Sequence, residues 1–455
     1  MADLDISRPQ RVHIVAAGGK AMNAIARILR SMGHDVSGCD VERSKVTDGL
    51  AAAGVAVSIG HDPSHVTTAD VLVRSTAVGD TNREVLAARD LGVPVLSRAE
   101  AMAAICSARR TIGVSGTHGK TTTTAMLALA LREAGMDPSF LVGGEVTGLG
   151  SGTAWTAGDW FVVEADESDG TFLSLGAEAV IVTNAEADHL AHWGTWEALE
   201  DGFRRFVAAA PGPRVLCADD PGTAAIAAAV GGCTTYGTGA DADHRIVDCS
   251  GHRFGVQFTI EGLGRIELPL PGVHNARNAT AAAVMAVALG APFDAVARAL
   301  ASFPGVGQRF EQRGEVAGIT FVDSYDHMPT EVAAALAAAR AGGWPRIVCV
   351  FQPHRYTRTR DVHRLFADAF VDADLLAVTD VYAASEEPIP GVTGKLVVDA
   401  VLEAHPWAHV AYLPQRPGVL AWLRHHLRPG DLCLTLGAGD LTTVPDEVMA
   451  ALRAS

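Results

Sequence analysis

Short apolar runs alternate with longer helical patterns along nearly the whole chain. Runs such as Val71–Arg74, Trp160–Val163 and Ile347–Phe351 have the length and composition of buried strands. Each is followed by a stretch with helical spacing. Parallel strands need crossover connections, which are usually helices, so this alternation predicts parallel sheets covered by helices. The sequence therefore predicts an α/β fold.

The length of 455 residues predicts three such domains, at roughly 150 residues each. The pattern restarts near residue 110, and Phe303–Gly307 has the proline and glycine content of a hinge. We expect domains at 1–109, 110–304 and 305–455. Alternating apolar residues and glycines between Thr234 and Leu270 predict an antiparallel patch, followed by a helix over Asn278–Leu289.

Charge and cysteine content limit the class of partner. A formal net charge of −16 argues against nucleic acid or an anionic membrane surface. No apolar run reaches the ~18 residues of a membrane span, and the first residues lack a signal-peptide core. Seven scattered cysteines without a C-x-x-C pair predict reduced thiols rather than disulfides or a zinc site. We expect a cytoplasmic monomer or homodimer that acts on small molecules.

A glycine-rich loop lies between the predicted strand Thr111–Ser115 and the predicted helix Thr121–Ala134. It reads Gly116-Thr117-His118-Gly119-Lys120-Thr121-Thr122. Glycines let the backbone wrap around phosphate, and the amides at a helix N-terminus point at the anion. Lys120 can reach terminal phosphates, and the Thr121 hydroxyl can bind Mg²⁺. The loop departs from a strict P-loop because Gly113 lies one residue too far from Gly119.

Polar side chains follow the next two predicted strands. Glu164 comes directly after Trp160–Val163, where a Mg²⁺ ion held mainly by substrate oxygens needs a protein ligand. The neighbouring Asp166, Glu167 and Asp169 fit either this site or a solvated loop. Asn184, Asp188 and His189 follow the strand Val180–Thr183, and can orient metal or phosphate.

Three further motifs leave alternatives open. Asn275 and Asn278 fit either a helix N-cap or a contact with a purine edge. Three arginines in the loop from His354 to Arg360 are suited to carboxylate or phosphate, although a solvated turn explains them too. The first loop, with Gly18 and Gly19, is followed about twenty residues later by Asp40, as in a dinucleotide-binding unit. An NAD-dependent oxidoreductase is thus an alternative, which leaves Lys120 and the acidic loop unexplained.

Several stretches together resemble the Mur ligase family over nearly the whole chain. They are VSGTHGKTTTT (114–124), VEADESDGTFL (163–173), VTNAEADHL (182–190), GVHNARNA (272–279), VFQPHRYTRTR (350–360), DVYAASEEPIPGVTG (380–394) and LTLGAGDL (434–441). The resemblance implies a Rossmann-like N-terminal domain that binds a UDP-sugar, a P-loop ATPase-like central domain, and a Rossmann-like C-terminal domain that binds an amino acid.

The implied activity is an ATP- and Mg²⁺-dependent amide ligase of cell-wall synthesis. It would join L-alanine to the carboxylate of UDP-N-acetylmuramate through an acyl phosphate, releasing ADP and phosphate. Because a carboxylate is a poor electrophile, its oxygen first takes the γ-phosphoryl group, and the amine then displaces phosphate.

The resemblance also implies roles for particular residues, which we state as expectations. The catalytic residues would be Lys120, Glu164, His189, Arg309, His327 and His354. ATP would be bound by Gly116, Thr117, His118, Gly119, Lys120, Thr121, Thr122, Asn275, Asn278, Arg309 and Asp323. Mg²⁺ would be held by Thr121, Glu164 and His189. The other substrates would be bound by Gly18, Gly19, Asp40, Ser75, Thr76, His354, Arg355 and Arg358.

Two loops depart from the family pattern. The first usually reads G-I-G-G-x-G-M and here reads Ala16-Ala17-Gly18-Gly19-Lys20-Ala21-Met22, which removes two glycines and adds a lysine. The third-domain loop usually reads D-D-Y-[GA]-H-H-P and here reads Asp323-Ser324-Tyr325-Asp326-His327-Met328-Pro329. A ligase of the same family that joins another carboxylate and amine is therefore an alternative. A non-catalytic nucleotide-binding regulator is disfavoured by the arginine loop.

Overall fold

The computed structural model describes residues 4–144 and 146–454, and the chain packs into two compact units. The first unit contains the residues up to Val247 together with Thr259–Ile266 and Arg277–Phe303. The second contains Asp248–Phe258, Glu267–Ala276 and the residues from Pro304 onward. No helix in the described part of the chain is both long and apolar enough to cross a membrane.

The first sheet has five parallel strands in the order β3-β2-β1-β4-β5. The strands are β1 (Arg11–Val15), β2 (Asp35–Asp40), β3 (Ala56–Ile59), β4 (Val71–Arg74) and β5 (Val95–Ser97). The helices are α1 (Lys20–Ser31), α2 (Lys45–Ala52), α3 (Arg83–Asp90) and α4 (Arg98–Ser107), with a 3₁₀ helix at Pro63–Val66. Helix α1 buries Ile25, Ile28 and Leu29, whose spacing puts them on one helical face.

The second sheet has ten strands in the order β15-β14-β13-β12-β11-β10-β6-β9-β7-β8. They are β6 (Arg110–Ser115), β7 (Ser139–Leu141), β8 (Thr153–Ala154), β9 (Trp160–Glu164), β10 (Ala179–Val182), β11 (Arg214–Cys217), β12 (Thr234–Gly237), β13 (His244–His252), β14 (Gly255–Ile260) and β15 (Gly264–Leu268). The helices are α5 (Lys120–Glu133), α6 (Leu190–Trp193), α7 (Trp196–Ala209), α8 (Pro221–Val230), α9 (Val273–Ala288) and α10 (Phe293–Ala301), with 3₁₀ helices at Thr147–Leu149 and Thr171–Ser174. Helix α5 is buried from Thr121 to Leu131, because it lies against the middle strands of the sheet.

The third sheet has six strands in the order β16-β17-β21-β18-β19-β20, of which only the β16–β17 pairing is antiparallel among those described. They are β16 (Glu311–Val316), β17 (Ile319–Ser324), β18 (Arg346–Phe351), β19 (Leu375–Val378), β20 (Val410–Tyr412) and β21 (Asp431–Leu436). The helices are α11 (Pro329–Ala341), α12 (Tyr356–Val362), α13 (Lys395–Ala404), α14 (Arg416–His426) and α15 (Val444–Arg453), with 3₁₀ helices at His363–Phe366 and Asp440–Thr443. Apolar side chains from β17, β18 and β21 form its core on both faces.

The α/β prediction is confirmed, and two local predictions are corrected. The helix expected over Asn278–Leu289 begins at Val273, because Gly272, at a φ of 99°, turns the chain directly into it. The patch expected to be antiparallel forms β12 to β15, but β12 runs parallel to both β11 and β13. Helix α8 supplies the crossover between β11 and β12 that a parallel pairing requires.

Strand β6 is packed closely by helix α7 at Gly113. A Cβ atom on Gly113 would lie 2.8 Å from Cζ of Phe206, whose side chain is buried. By contrast, a Cβ on Gly418 in α14 would meet no heavy atom within 4 Å. The central strand therefore depends on the absence of a side chain at Gly113.

We expect Gly113→Ala to lower the stability of the first unit by about 1–3 kcal/mol, the usual cost of overpacking a core. The matched change Gly418→Ala should leave stability unchanged or raise it by up to about 1 kcal/mol, since alanine favours helix. Differential scanning calorimetry of both variants measures the shifts. Equal shifts for the two would contradict the packing described at Gly113.

Candidate active site

The glycine-rich loop leaves the sheet at the carboxyl end of β6, which lies between β9 and β10. Gly116 and Gly119 have φ angles of 133° and 79°, which side chains other than hydrogen rarely permit. Gly119 is also the residue that precedes α5, so the loop amides face the space at the helix N-terminus. The loop thus has the backbone shape of a phosphate-binding site.

Residues after β10 hold this loop in place. The side-chain oxygen of Asn184 accepts from the amide of His118 at 2.7 Å, and its nitrogen donates to the His118 carbonyl at 3.1 Å. The Thr183 hydroxyl donates to the same carbonyl at 2.5 Å. A Cβ on Gly119 would lie 2.5 Å from Oδ1 of Asn278, so α9 closes the loop from another side.

The Lys120 ammonium is held inside the site by the acidic loop. Its Nζ donates to Oε1 of Glu167 at 2.9 Å and to the carbonyls of Gly116 and Thr117 at 2.5 Å and 3.1 Å. Burial lowers the pKa of Lys120, but the nearby carboxylates, above all Glu167, raise it more, so its pKa lies above the usual value. Lys120 is therefore a fixed positive charge within the loop.

Glu167 is the most deeply buried carboxylate of the acidic loop, with 1% of its side chain exposed. Its Oε2 atom has no hydrogen-bond partner, which is costly for a buried oxygen. Burial raises the pKa of Glu167 to about 7, despite the adjacent Lys120 ammonium. The indole nitrogen of Trp193 donates to the Glu167 carbonyl at 2.9 Å and fixes the turn that points the side chain inward.

Glu164 is the last residue of β9, and His189 directly precedes α6 in the segment that follows β10. Oε2 of Glu164 accepts from the amide of Gly143 at 2.8 Å. Nε2 of His189 lies 3.8 Å from Oε1 of Glu167 and 3.3 Å from Oδ2 of Asp188. The structure therefore brings Lys120, Glu167 and His189 together.

The donor atoms suit a nucleotide phosphate with Mg²⁺. Magnesium prefers oxygen ligands and usually binds through one or two protein groups together with phosphate oxygens. Thr121 and Glu164 offer such oxygens beside the loop, and Oε2 of Glu167 is a buried oxygen in need of a partner. Asp169 is less available for this role, because it pairs with Arg98 at 2.6 Å.

The two asparagines predicted at the nucleotide take different places. Asn278 lies against Gly119, as described above. The side-chain nitrogen of Asn275 donates to the carbonyl of Pro271 at 2.8 Å, so Asn275 tethers the start of α9 to the preceding turn.

In the second unit, His327 and His354 lie together at the carboxyl ends of β17 and β18. Their ring centroids are 5.4 Å apart, and His354 stacks on Tyr382 at 5.9 Å. Nδ1 of His354 lies 3.0 Å from Nη1 of Arg358, which can only donate. Burial lowers the pKa of His354 to about 3, aided by His327, Arg358 and Arg355. His354 is therefore a neutral acceptor in this cluster.

Arg309 and Asp323 occupy the same sheet edge. The guanidinium of Arg309 lies over the ring of Tyr325 at 4.8 Å. Asp323 is buried, and its two oxygens accept from the hydroxyls of Thr435 and Thr442 at 2.5 Å and 2.6 Å. Burial raises the pKa of Asp323 above its usual value. Arg355, at a φ of 67°, directly precedes α12.

The first loop follows β1, between the ends of β2 and β4. The amide of Gly18 donates to Oδ2 of Asp40 at 2.7 Å, and Gly19 precedes α1. Ala16 adopts a φ of 63°, a conformation that favours glycine. Ser75 and Thr76 follow β4, so all the substrate residues expected here leave the same sheet edge.

Sequence reasoning missed Glu167 as a central member of the site. It favoured Glu164 because that residue is nearest the strand end, and treated Glu167 as one of several loop carboxylates. The signal that could have identified it is Trp193, an aromatic residue after the next strand that can anchor the acidic loop. Asn184 was among the residues predicted to orient metal or phosphate; in the structure its side chain and that of Thr183 bond to the loop backbone at His118.

The chain is similar to known proteins over almost its whole length. The chain matches the models of the Mur ligase family catalytic domain at residues 11–110, the Mur ligase middle domain at 114–286 and the Mur ligase glutamate ligase domain at 308–439. Two curated UDP-N-acetylmuramate–L-alanine ligases are each 46% identical to it. That of an Anaeromyxobacter species aligns over 98% of this chain and 99% of its own, and that of Acidothermus cellulolyticus over 99% and 96%.

The solved structure of the UDP-N-acetylmuramate–alanine ligase from Thermotoga maritima superposes with a TM-score of 0.82 at 27% identity, covering 98% of this chain and 99% of that chain. Three α/β domains with a phosphate loop and polar strand ends define a nucleotide-dependent enzyme. More particularly, the chain belongs to the Mur ligase family.

We expect the imidazole of His354 to stay neutral between pH 8 and pH 5, because its pKa is about 3 rather than the usual 6.5. The fold favours the neutral form, so its contribution to stability is complete above pH 6.5 and declines as the pH falls toward 3. Nitrogen-15 NMR of histidine-labelled protein, with His354 assigned through His354→Gln, follows this titration. A midpoint near pH 6.5 would contradict the buried cluster.

Proposed function

We propose that the protein is an ATP-dependent ligase that joins L-alanine to the carboxylate of UDP-N-acetylmuramate through an acyl phosphate, releasing ADP and phosphate. The observation that carries this proposal is the Lys120–Glu167 pair, 2.9 Å long, inside a loop with the backbone shape for phosphate. The names of relatives 46% identical over almost the whole chain support the choice of substrates.

Phosphoryl transfer falls to the loop and Lys120. The amides from Gly116 to Thr122 bind the ATP phosphates, and Lys120 neutralises charge on the γ-phosphoryl group as it moves to the substrate carboxylate. Arg309 is assigned to the same γ-phosphoryl group. Asn275 and Asn278 are assigned to the adenine, and Asp323 to the ribose, once it releases a threonine hydroxyl.

Thr121, Glu164 and His189 would hold Mg²⁺, which when bound supplies positive charge against the phosphate oxygens. Glu167 adds a carboxylate beside them and holds Lys120 in place. Because its pKa is about 7, the Glu167 carboxyl group is partly protonated at neutral pH. The loop carbonyls of Gly116 and Thr117 keep the ammonium oriented before ATP arrives.

The amino acid is assigned to the cluster of the second unit. Arg355 and Arg358 bind its carboxylate, which guanidinium groups match in shape and charge. His354 accepts a hydrogen bond from Arg358 and so positions it. The low pKa of His354 makes it too weak a base to take the proton of the amino group. We therefore assign removal of the ammonium proton to His327, whose Nδ1 lies 3.1 Å from the Tyr325 carbonyl.

The UDP-sugar is assigned to the first sheet, where Gly18, Gly19, Asp40, Ser75 and Thr76 leave one edge. We propose the cytoplasm as the site of action, because the cysteines in the described chain are free thiols. A monomer or a homodimer is consistent with this assignment.

Phosphate release with ATP, Mg²⁺, UDP-N-acetylmuramate and L-alanine, omitting each component in turn, tests the proposal. We expect release only when all four are present, together with an amide product of the correct mass. Bound ATP without release would instead indicate a ligase of the same family for another carboxylate and amine. Hydride transfer to NAD without phosphate release would indicate an oxidoreductase.

Replacing Lys120 by alanine should lower kcat by about 10²–10³-fold, the usual cost of losing one charged group at a transition state. The matched change Lys395→Ala removes an exposed lysine that pairs only with Asp399 on α13 among its described contacts, and should leave the rate unchanged. Steady-state rates of ADP formation give both values. A rate loss below tenfold for Lys120→Ala would argue against its assigned role.

A further inference from the structure

Four side chains with metal-binding atoms meet inside the first sheet domain, outside all residues assigned above. They are His13 on β1, Cys39 on β2, His65 on the 3₁₀ helix Pro63–Val66 and Glu84 in the first turn of α3. One ligand atom from each lies within 4.8 Å of all the others. Each ligand comes from a different element, so the cluster connects the sheet, the 3₁₀ helix and α3.

The histidine on β1 is oriented toward this cluster. Its Nδ1 lies 2.9 Å from the hydroxyl of Ser37, while its Nε2 is buried without a hydrogen-bond partner and lies 3.5 Å from Oε2 of Glu84. His13 is only 1% exposed. A partner on one ring nitrogen and an unsatisfied second nitrogen is the arrangement that orients histidine for a metal. A buried nitrogen that makes no hydrogen bond is otherwise costly.

Glu84 is completely buried, and none of the described lysines or arginines forms an ion pair with it. In the described ranges its ion-pair partners are the imidazoles of His13, His61 and His65. Its Oε1 accepts from the amide of Asp62 at 3.1 Å and lies 2.6 Å from Nδ1 of His65. Its Oε2 faces Sγ of Cys39 at 2.8 Å. Buried carboxylates are stable when paired with a charge or bound to a metal.

We propose that His13, Cys39, His65 and Glu84 bind one Zn²⁺ ion. Two imidazoles, a thiolate and a carboxylate are the ligand types that zinc takes in proteins, usually four in number. The thiolate and carboxylate together neutralise the two charges of the ion. Mg²⁺ and Ca²⁺ prefer sets made of oxygen alone, so the cluster discriminates against them.

His61 borders the same cluster. Its Nδ1 lies 3.2 Å from Sγ of Cys39 and 3.4 Å from Oε2 of Glu84, and 22% of its side chain is exposed. Its side chain is about as exposed as that of His65, at 21%, but it lies outside the group of four whose ligand atoms are all within 4.8 Å of one another. We therefore leave it out of the ligand set.

The position of Cys39 gives the ion a structural role. The Cys39 carbonyl accepts from the amide of Ala17 at 2.9 Å, and the next residue, Asp40, accepts from the amide of Gly18 at 2.7 Å. A bound ion would therefore fix the base of the first loop. Zinc binding itself does not depend on the proposed ligase activity.

The test is a zinc titration of chelator-treated protein, without ATP or Mg²⁺, against a chromophoric chelator. We expect one tightly bound Zn²⁺ per chain. Replacing zinc by Co²⁺ should give a thiolate-to-cobalt absorption band, which ions bound near the phosphate loop cannot give because that loop contains no cysteine. The absence of a bound ion, or of the cobalt band, would overturn the proposal whether or not ligase activity is found.

Variants locate the ion. Cys39→Ala should abolish the cobalt band, and His65→Asn, at a partly exposed position, should weaken zinc binding at least about tenfold while leaving the fold intact by circular dichroism. Cys106→Ala, which removes another buried thiol of the same domain, should change neither readout. Full zinc binding by folded His65→Asn together with an unchanged cobalt band in Cys39→Ala would refute this ligand set.

Discussion

The position of β6 between β9 and β10 is the constraint on which the candidate site depends. In the parallel ladders Val114 aligns with Glu164, and Ser115 aligns with Val182. The phosphate loop, the acidic loop and the Thr183–His189 segment therefore leave the sheet at one level. Because the loops start level, short side chains such as Asn184 and Thr183 can fix the phosphate loop by direct hydrogen bonds. Without this register, Lys120 and Glu167 would not meet.

The buried Lys120–Glu167 pair follows from that alignment and shows how its energetic cost is limited. Removing two charges from water costs several kcal/mol per ion unless their remaining bonding positions are filled. The carbonyls of Gly116 and Thr117 fill two positions of the ammonium, whereas Oε2 of Glu167 stays unfilled. Under the proposed function, a phosphate entering the loop would compete with Glu167 for Lys120. The pair thus holds the lysine ready and leaves one carboxylate oxygen for a new partner.

The sequence predicts those features that depend on residues close together in the chain. Apolar runs identify strands such as Val71–Arg74, because a buried parallel strand must be apolar on both faces. Glycines with a following lysine identify the phosphate loop. The sequence places the start of α9 too late in the chain. The helix begins directly after a turn at Gly272, and a glycine permits the backbone angle of that turn without requiring it. The role assigned to Glu167 required the path of its loop, which a hydrogen bond from distant Trp193 sets. The cluster around Glu84 has ligands far apart in the sequence, so no spacing motif indicates it.

The chain stabilises buried carboxylates in different ways, and the differences bear on function. Asp323 accepts two threonine hydroxyls, and burial raises its pKa, which favours the neutral form. Glu167 pairs with the ammonium group of Lys120. Among the described residues, the side chain of Glu84 is met by a thiol, imidazoles and a backbone amide, and a divalent ion could bind the carboxylate, the thiol and the imidazoles together. Just above that cluster, Ala16 holds a φ of 63°, a strain that persists only where the surroundings determine the backbone. Its neighbours Ala17 and Gly18 donate hydrogen bonds to Cys39 and Asp40, so contacts with the end of β2 determine the backbone next to Ala16.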